Sequence, residues 1–201
     1  MTFLEYYESL RNVYNDNPYE LTDKGGNSHT YIQEFYDKEF TQKRYDKITL
    51  VEIGVWRGKS LELFDDWFIN GKIIGIDYIN HQNSTHFFHD VKIEMKKRGV
   101  ELVLDNAYSE KIVNLFEDES IDYLIDDGCH SINNQIECVK LYYPKIKKGG
   151  KLIIEDISDL DENISKFYNL GLKFDLYDMR WNPDKTIAPH LHNNVLIVYK
   201  K

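Results

Sequence analysis

Five short apolar runs in this chain each end in a carboxylate: Leu50-Val51-Glu52, Ile73-Ile74-Gly75-Ile76-Asp77, Leu102-Val103-Leu104-Asp105, Tyr123-Leu124-Ile125-Asp126-Asp127 and Leu152-Ile153-Ile154-Glu155-Asp156. Runs this short and this apolar read as strands covered on both faces. Helical stretches separate them, giving strand 48–54, helix 58–69, strand 72–77, helix 85–98, strand 100–105, helix 109–117, strand 121–126, helix 131–143 and strand 150–155. Such alternation specifies a parallel sheet with right-handed crossovers. All five carboxyl ends then share one edge, the edge where open α/β folds bind ligands. An acid-lined edge suits a cation, a metal or a sugar hydroxyl better than a phosphate.

Before the first strand, Leu4, Tyr7, Leu10 and Tyr14 recur at helical spacing, as do Tyr31, Phe35 and, less regularly, Phe40. Residues 1–46 are therefore expected to form a helical cover, with Ser28 a cap for the second helix. After a helix near 159–170, the runs 172–177 and 195–199 read as strands. The Trp181-Asn182-Pro183-Asp184 stretch leaves no room for a full crossover helix, so this pair is expected to be an antiparallel hairpin with a long loop. One domain over 1–201 follows, a Rossmann-like α/β core of five parallel strands plus a terminal hairpin, which is the architecture expected of class I methyltransferases.

At 201 residues the chain buries roughly 70% of its unfolded surface without needing a structural metal or disulfide. Its 25 basic against 34 acidic side chains leave a net charge of −9, which disfavours nucleic acid and anionic membranes as partners. Met1-Thr2-Phe3-Leu4-Glu5 lacks a basic start with an apolar core, and no apolar run approaches the ~18 residues of a membrane span, so a cytoplasmic location is expected. Cys129 and Cys138 match no metal-ligand spacing, and neither is expected in a disulfide.

The first turn, Glu52-Ile53-Gly54-Val55-Trp56-Arg57-Gly58-Lys59-Ser60, admits three readings. Gly58-Lys59-Ser60 ends like a phosphate-binding loop, but the opening glycine would have to stand where Ile53 does. A nucleotide-dependent phosphotransferase is the rival this leaves. The dinucleotide fingerprint fails because Trp56 occupies its second glycine. In the third reading an acid ends the strand, and Gly54 and Gly58 open the turn so that S-adenosylmethionine lies against backbone. Acids around the pocket suit its sulfonium and ammonium; Glu52 and Asp126 fall in that group, Asp77 is placed for both ribose hydroxyls and Asp105 for the adenine side.

Asp127-Gly128-Cys129-His130 follows the fourth strand and Glu155-Asp156 the fifth, so neighbouring strand ends bring three carboxylates together. Either their pKa values rise or a divalent cation sits among them. Oxygen ligands favour Mg²⁺, with Mn²⁺ or Ca²⁺ compatible. His130 is then a candidate general base, its ordinary pKa suited to removing a proton from an acidified hydroxyl.

These elements resemble the Mg²⁺-dependent sugar O-methyltransferases of macrolide antibiotics, the macrocin and mycinamicin type: Thr22-Asp23-Lys24-Gly25 with His29 and Tyr31, Val51 to Gly58, Ile125-Asp126-Asp127-Gly128-Cys129-His130, and Ile154-Glu155-Asp156. The resemblance implies Asp127, Glu155 and Asp156 as metal ligands, His130 as base working beside Asp127, and the segment around Lys24 as a lid near the methionine end of the cofactor. It also implies a carbohydrate or glycoside acceptor, best stated as a diol. Catechol-type O-methyltransferases carry a similar metal site, with Asp-Asn where this chain has Glu155-Asp156, and stand as an alternative. A homo-oligomer is compatible with the sequence. Trp67 is expected in the core and His190 and His192 as polar loop residues, while Trp181, in the loop before the last strand, is a candidate wall of the acceptor pocket beside the commoner packing role.

Overall fold

The computed structural model describes residues 1–14, 21–26, 29–78, 85–180 and 193–201. Ser28, Trp181, His190 and His192 lie outside the described residues. The described chain runs α1 (Phe3–Tyr14), a π-helical turn Ile32–Tyr36 leading into α2 (Asp37–Phe40), β1 (Thr49–Ile53), α3 (Lys59–Trp67), β2 (Lys72–Asp77), α4 (Thr85–Arg98), β3 (Glu101–Leu104) and α5 (Glu110–Val113). It continues through β4 (Ile121–Asp126), α6 (Ile132–Tyr142), β5 (Ile146–Ile154), α7 (Leu160–Tyr168), β6 (Phe174–Asp178) and β7 (Val195–Lys200). The strands form one sheet in the order β3-β2-β1-β4-β5-β7-β6. β1 to β5 pair in parallel, while β7 is antiparallel to both β5 and β6, as the hairpin expectation required. The chain leaves β1 toward β2 on one side and returns to β4 on the other, so a crevice opens between the carboxyl ends of β1 and β4.

Strand residues alternate between two cores. Leu50, Tyr123, Ile125, Ile153, Leu196 and Val198 pack under α1, the 31–40 segment and α3, while Val51, Ile53, Leu124, Leu152 and Ile154 pack under α5, α6 and α7. Trp67 is fully buried in the first core, its indole N–H donating to Phe40 O at 3.0 Å. Two expectations shrink or grow. The helix read over 109–117 is α5 alone, because Leu115 and Phe116 donate to carbonyls three residues back and tighten the chain into a turn. β5 begins at Ile146 rather than 150, with the register against β4 shifting between Ile121 and Tyr123. Both cysteines are free, and among the described residues no helix is long and apolar enough to cross a membrane.

Candidate active site

The two-residue period of a strand puts Glu52 on the face of Leu50, Asp127 on the face of Ile125 and Glu155 on the face of Ile153, all under the amino-terminal cover. That cover answers with a cation. Lys24 Nζ lies 2.6 Å from Asp127 Oδ2, 3.2 Å from Glu52 Oε1 and in contact with Glu155 Oε2. Tyr36 donates to the other Glu155 oxygen, and Ser60 Oγ donates to Glu52 Oε2 at 2.6 Å. Lys24, Glu52 and Glu155 are all buried. An unpaired charge there would cost several kcal/mol, so the pairing is obligatory. Burial alone would lower the Lys24 pKa, yet the carboxylates of Asp127, Glu155 and Glu52 outweigh it and hold the ammonium well above its ordinary value. Burial pushes Glu52 up to about 7 against the pull of Lys24, and raises Glu155 well above the usual carboxylate range.

On the open side lies a cavity of about 720 Å³, lined by the β1–α3 turn, the end of β2, residues 106–108 and 127–130, Asp156 and the 21–23 segment. Gly54 shapes its floor: φ is +90° and a Cβ would stand 2.0 Å from Asp127 O, so only glycine lets the first turn pass the fourth. Asp77 Oδ2 accepts from the backbone N–H of Val55 at 2.9 Å and of Trp56 at 3.1 Å, tying that turn to β2. Trp56, His130 and Asp156, all at the cavity, adopt left-handed backbone with φ of 42°, 55° and 58°. Strain of this kind persists only where the surroundings over-determine it, and it gathers at functional sites.

Asp127, His130 and Asp156 each offer a ligand atom, all within 4.8 Å of one another. His130 Nε2 is 3.7 Å from Asp156 Oδ2, and His29 Nε2 is 3.1 Å from Asp156 Oδ1. Tyr31 donates to Asp156 Oδ1 at 2.5 Å, and burial, then Asp156 and Glu155, hold its hydroxyl pKa well above the ordinary value. Two carboxylates and an imidazole facing one cavity are a donor set that fits a divalent cation.

A family model described as a methyltransferase domain matches residues 51–157, the stretch from β1 to the acids after β5. The chain belongs to that family. Demethylmacrocin O-methyltransferase of Streptomyces fradiae is 26% identical over 175 residues, 79% of this chain and 42% of that protein. Mycinamicin VI 2''-O-methyltransferase of Micromonospora griseorubida is 26% identical over 130 residues, 61% of this chain and 30% of that protein. The chain therefore spans less than half the length of these curated relatives. Among solved structures, the MycE methyltransferase of the mycinamycin biosynthetic pathway, in complex with Mg and SAH, superposes with a TM-score of 0.65 at 19% identity, covering 96% of this chain and 54% of that one. The shared fold is that of class I methyltransferases.

Within that fold, the residues expected from sequence separate into two groups. Gly54, Asp77, Asp127, His130 and Asp156 line the cavity. Lys24, Glu52 and Glu155 stand behind it as a buried ion cluster, so Lys24 touches the acids rather than the cavity, and Glu155 is committed to Lys24 and Tyr36. Gly58 caps α3 over Val91 and Met95, outside the lining. Asp105 turns to Lys111 at 2.5 Å and to its own neighbour's N–H, leaving residues 106–108 to line that end. Asp126 is buried, where it accepts from Tyr108 at 2.7 Å, and burial pushes it up to about 6. Lys59, the lysine of the phosphate-loop reading, pairs with Glu62 at 3.1 Å. Sequence reasoning placed Tyr31 in the cover and among the residues of the resemblance without a role in the site, and passed over Tyr36 and Tyr108, although Tyr36 stands five residues after Tyr31 in that cover.

Proposed function

We propose that this chain is an S-adenosylmethionine-dependent O-methyltransferase that acts, with Mg²⁺ or Mn²⁺, on a hydroxyl of a sugar or glycoside bearing a vicinal diol. The observation that carries the reading is the convergence of Asp127, His130 and Asp156 at the cavity that Gly54 and Asp77 also line. The relatives' names supply the acceptor class, since they are named for O-methylation of demethylmacrocin and of mycinamicin VI at its 2'' position. When bound, the cofactor supplies an electrophilic methyl group and the cation a positive charge that acidifies an acceptor hydroxyl.

Asp127 and Asp156 are assigned to the cation. Glu155, the third acid expected in that set, is held by Lys24 and Tyr36 and would support the cation site from behind through them. Asp77 holds the turn under the cofactor with one oxygen and offers the other to ribose; Gly54 keeps the floor flat enough for the methionine end. His130, 39% exposed in its side chain and 3.7 Å from Asp156, is assigned as the base that takes the acceptor proton, with Asp156 stabilising the imidazolium. In a methylation screen over free sugars, nucleotide sugars and glycosides, His130→Ala should lose at least 100-fold in turnover, the low end of what a general base contributes, and keep its affinity for S-adenosylhomocysteine. EDTA should abolish turnover and added Mg²⁺ restore it. Full activity in EDTA removes the metal role; calorimetric binding of ATP in place of S-adenosylhomocysteine favours the phosphotransferase.

A further inference from the structure

We propose that Tyr31 is the positioning residue for Asp156, holding that carboxylate in place for a divalent cation. The inference rests on the metal reading above and adds a residue to it. Asp156 has φ +58°, a left-handed conformation that costs a non-glycine residue about 1–2 kcal/mol, so something nearby must fix it. The Tyr31 hydroxyl does so twice: it donates to Asp156 Oδ1 at 2.5 Å and accepts the Asp156 backbone N–H at 3.2 Å. One oxygen atom thus pins both the side chain and the backbone of the same strained residue. Asn193 O, at 3.2 Å, is the longer of the hydroxyl's two acceptors, so the proton goes to the carboxylate.

Tyr31 is itself immobile. It is 1% exposed, and its ring lies stacked on His29 with centroids 4.9 Å apart and planes at 19°. Gln135, from α6, donates to the carbonyls of Glu155 and Asp156 at 2.9 and 3.4 Å, holding the backbone from the opposite side. Oδ1 is thereby occupied by Tyr31 and approached by His29, whereas Oδ2 is the oxygen turned to His130. Losing the Tyr31 hydroxyl frees Oδ1 and the amide together, so the carboxylate no longer has a single orientation when a cation arrives. Partners that orient ligands in this way typically contribute 10–100-fold to metal affinity.

The test uses the full chain and Mn²⁺ alone, titrated calorimetrically. Tyr31→Phe should bind Mn²⁺ at least tenfold more weakly than wild type, about 1.4 kcal/mol, and should lose hydrogen-exchange protection at the Asp156 amide. Tyr123→Phe is the control: it removes a part-buried hydroxyl that donates to Glu39 at 2.6 Å, outside the cavity lining, and should keep wild-type Mn²⁺ affinity. Tyr31→Phe binding within twofold of wild type, or equal weakening in both variants, overturns the positioning role. Wild type that binds no Mn²⁺ overturns the metal reading itself and this proposal with it, an outcome distinct from the other two.

Discussion

At the scale of the residue, the buried cluster around Lys24 carries a charge imbalance with a measurable consequence. One ammonium faces Glu52, Asp127 and Glu155, and burial raises Glu52 from its ordinary value of 4.5 to about 7. Between those two pH values the folded chain keeps a proton on Glu52 that the unfolded chain releases. This contribution to stability is therefore complete below pH ~4.5 and is lost as pH rises toward ~7. Glu52→Gln removes the titration. The Tm of the variant relative to wild type should climb between pH 4.5 and 7 and level off above, whatever constant offset the lost Lys24 contact adds. A difference flat across that window in thermal melts would show that Glu52 ionises normally in the fold.

At the scale of the element, Phe40 joins the cover to the sheet. It is fully buried and meets five rings: Phe3, Tyr36, Phe64, Phe68 and Tyr123, with centroids 5.0–5.8 Å away. Phe40→Ala should cost about 3–5 kcal/mol in urea denaturation, and a loss under 1 kcal/mol would mean the cover folds independently of the sheet. Phe40 also shows where sequence legibility stops. The 3.6-residue spacing of Leu4, Tyr7, Leu10 and Tyr14 gave α1 directly, and the apolar runs gave the parallel strands. Tyr31 and Phe35 fitted that period and Phe40 less regularly, because the segment opens as a π-turn, whose backbone bonds reach five residues, as from Asp37 N–H to Ile32 O. That turn is what sets Tyr31 and Tyr36, five apart, onto Asp156 and Glu155. Neighbouring strand ends likewise implied that Asp127, Glu155 and Asp156 would come together, and Asp127 and Asp156 do, Asp156 through a left-handed turn. They gave no sign that Lys24 would meet acids up to 131 residues away and hold Glu155 apart from that pair.

At the scale of the molecule, the sheet order places the cavity where the strand connections diverge, between β1 and β4, with Asp77, Asp127 and Asp156 gathered at that edge. A ligand that binds there stabilises the whole fold by mass action, since β1, β2, the turn after β4 and the cover all contribute to its walls. S-adenosylhomocysteine at 100 times its Kd should add about 2.7 kcal/mol, which for a domain of this size is a Tm rise of roughly 5–10 °C. ATP at the same concentration should leave the melt unchanged, because Lys59 is turned to Glu62 and the loop between Gly54 and Gly58 is one residue short of a phosphate cradle. A shift with ATP and none with S-adenosylhomocysteine would reverse the assignment of the cavity while leaving the fold as described.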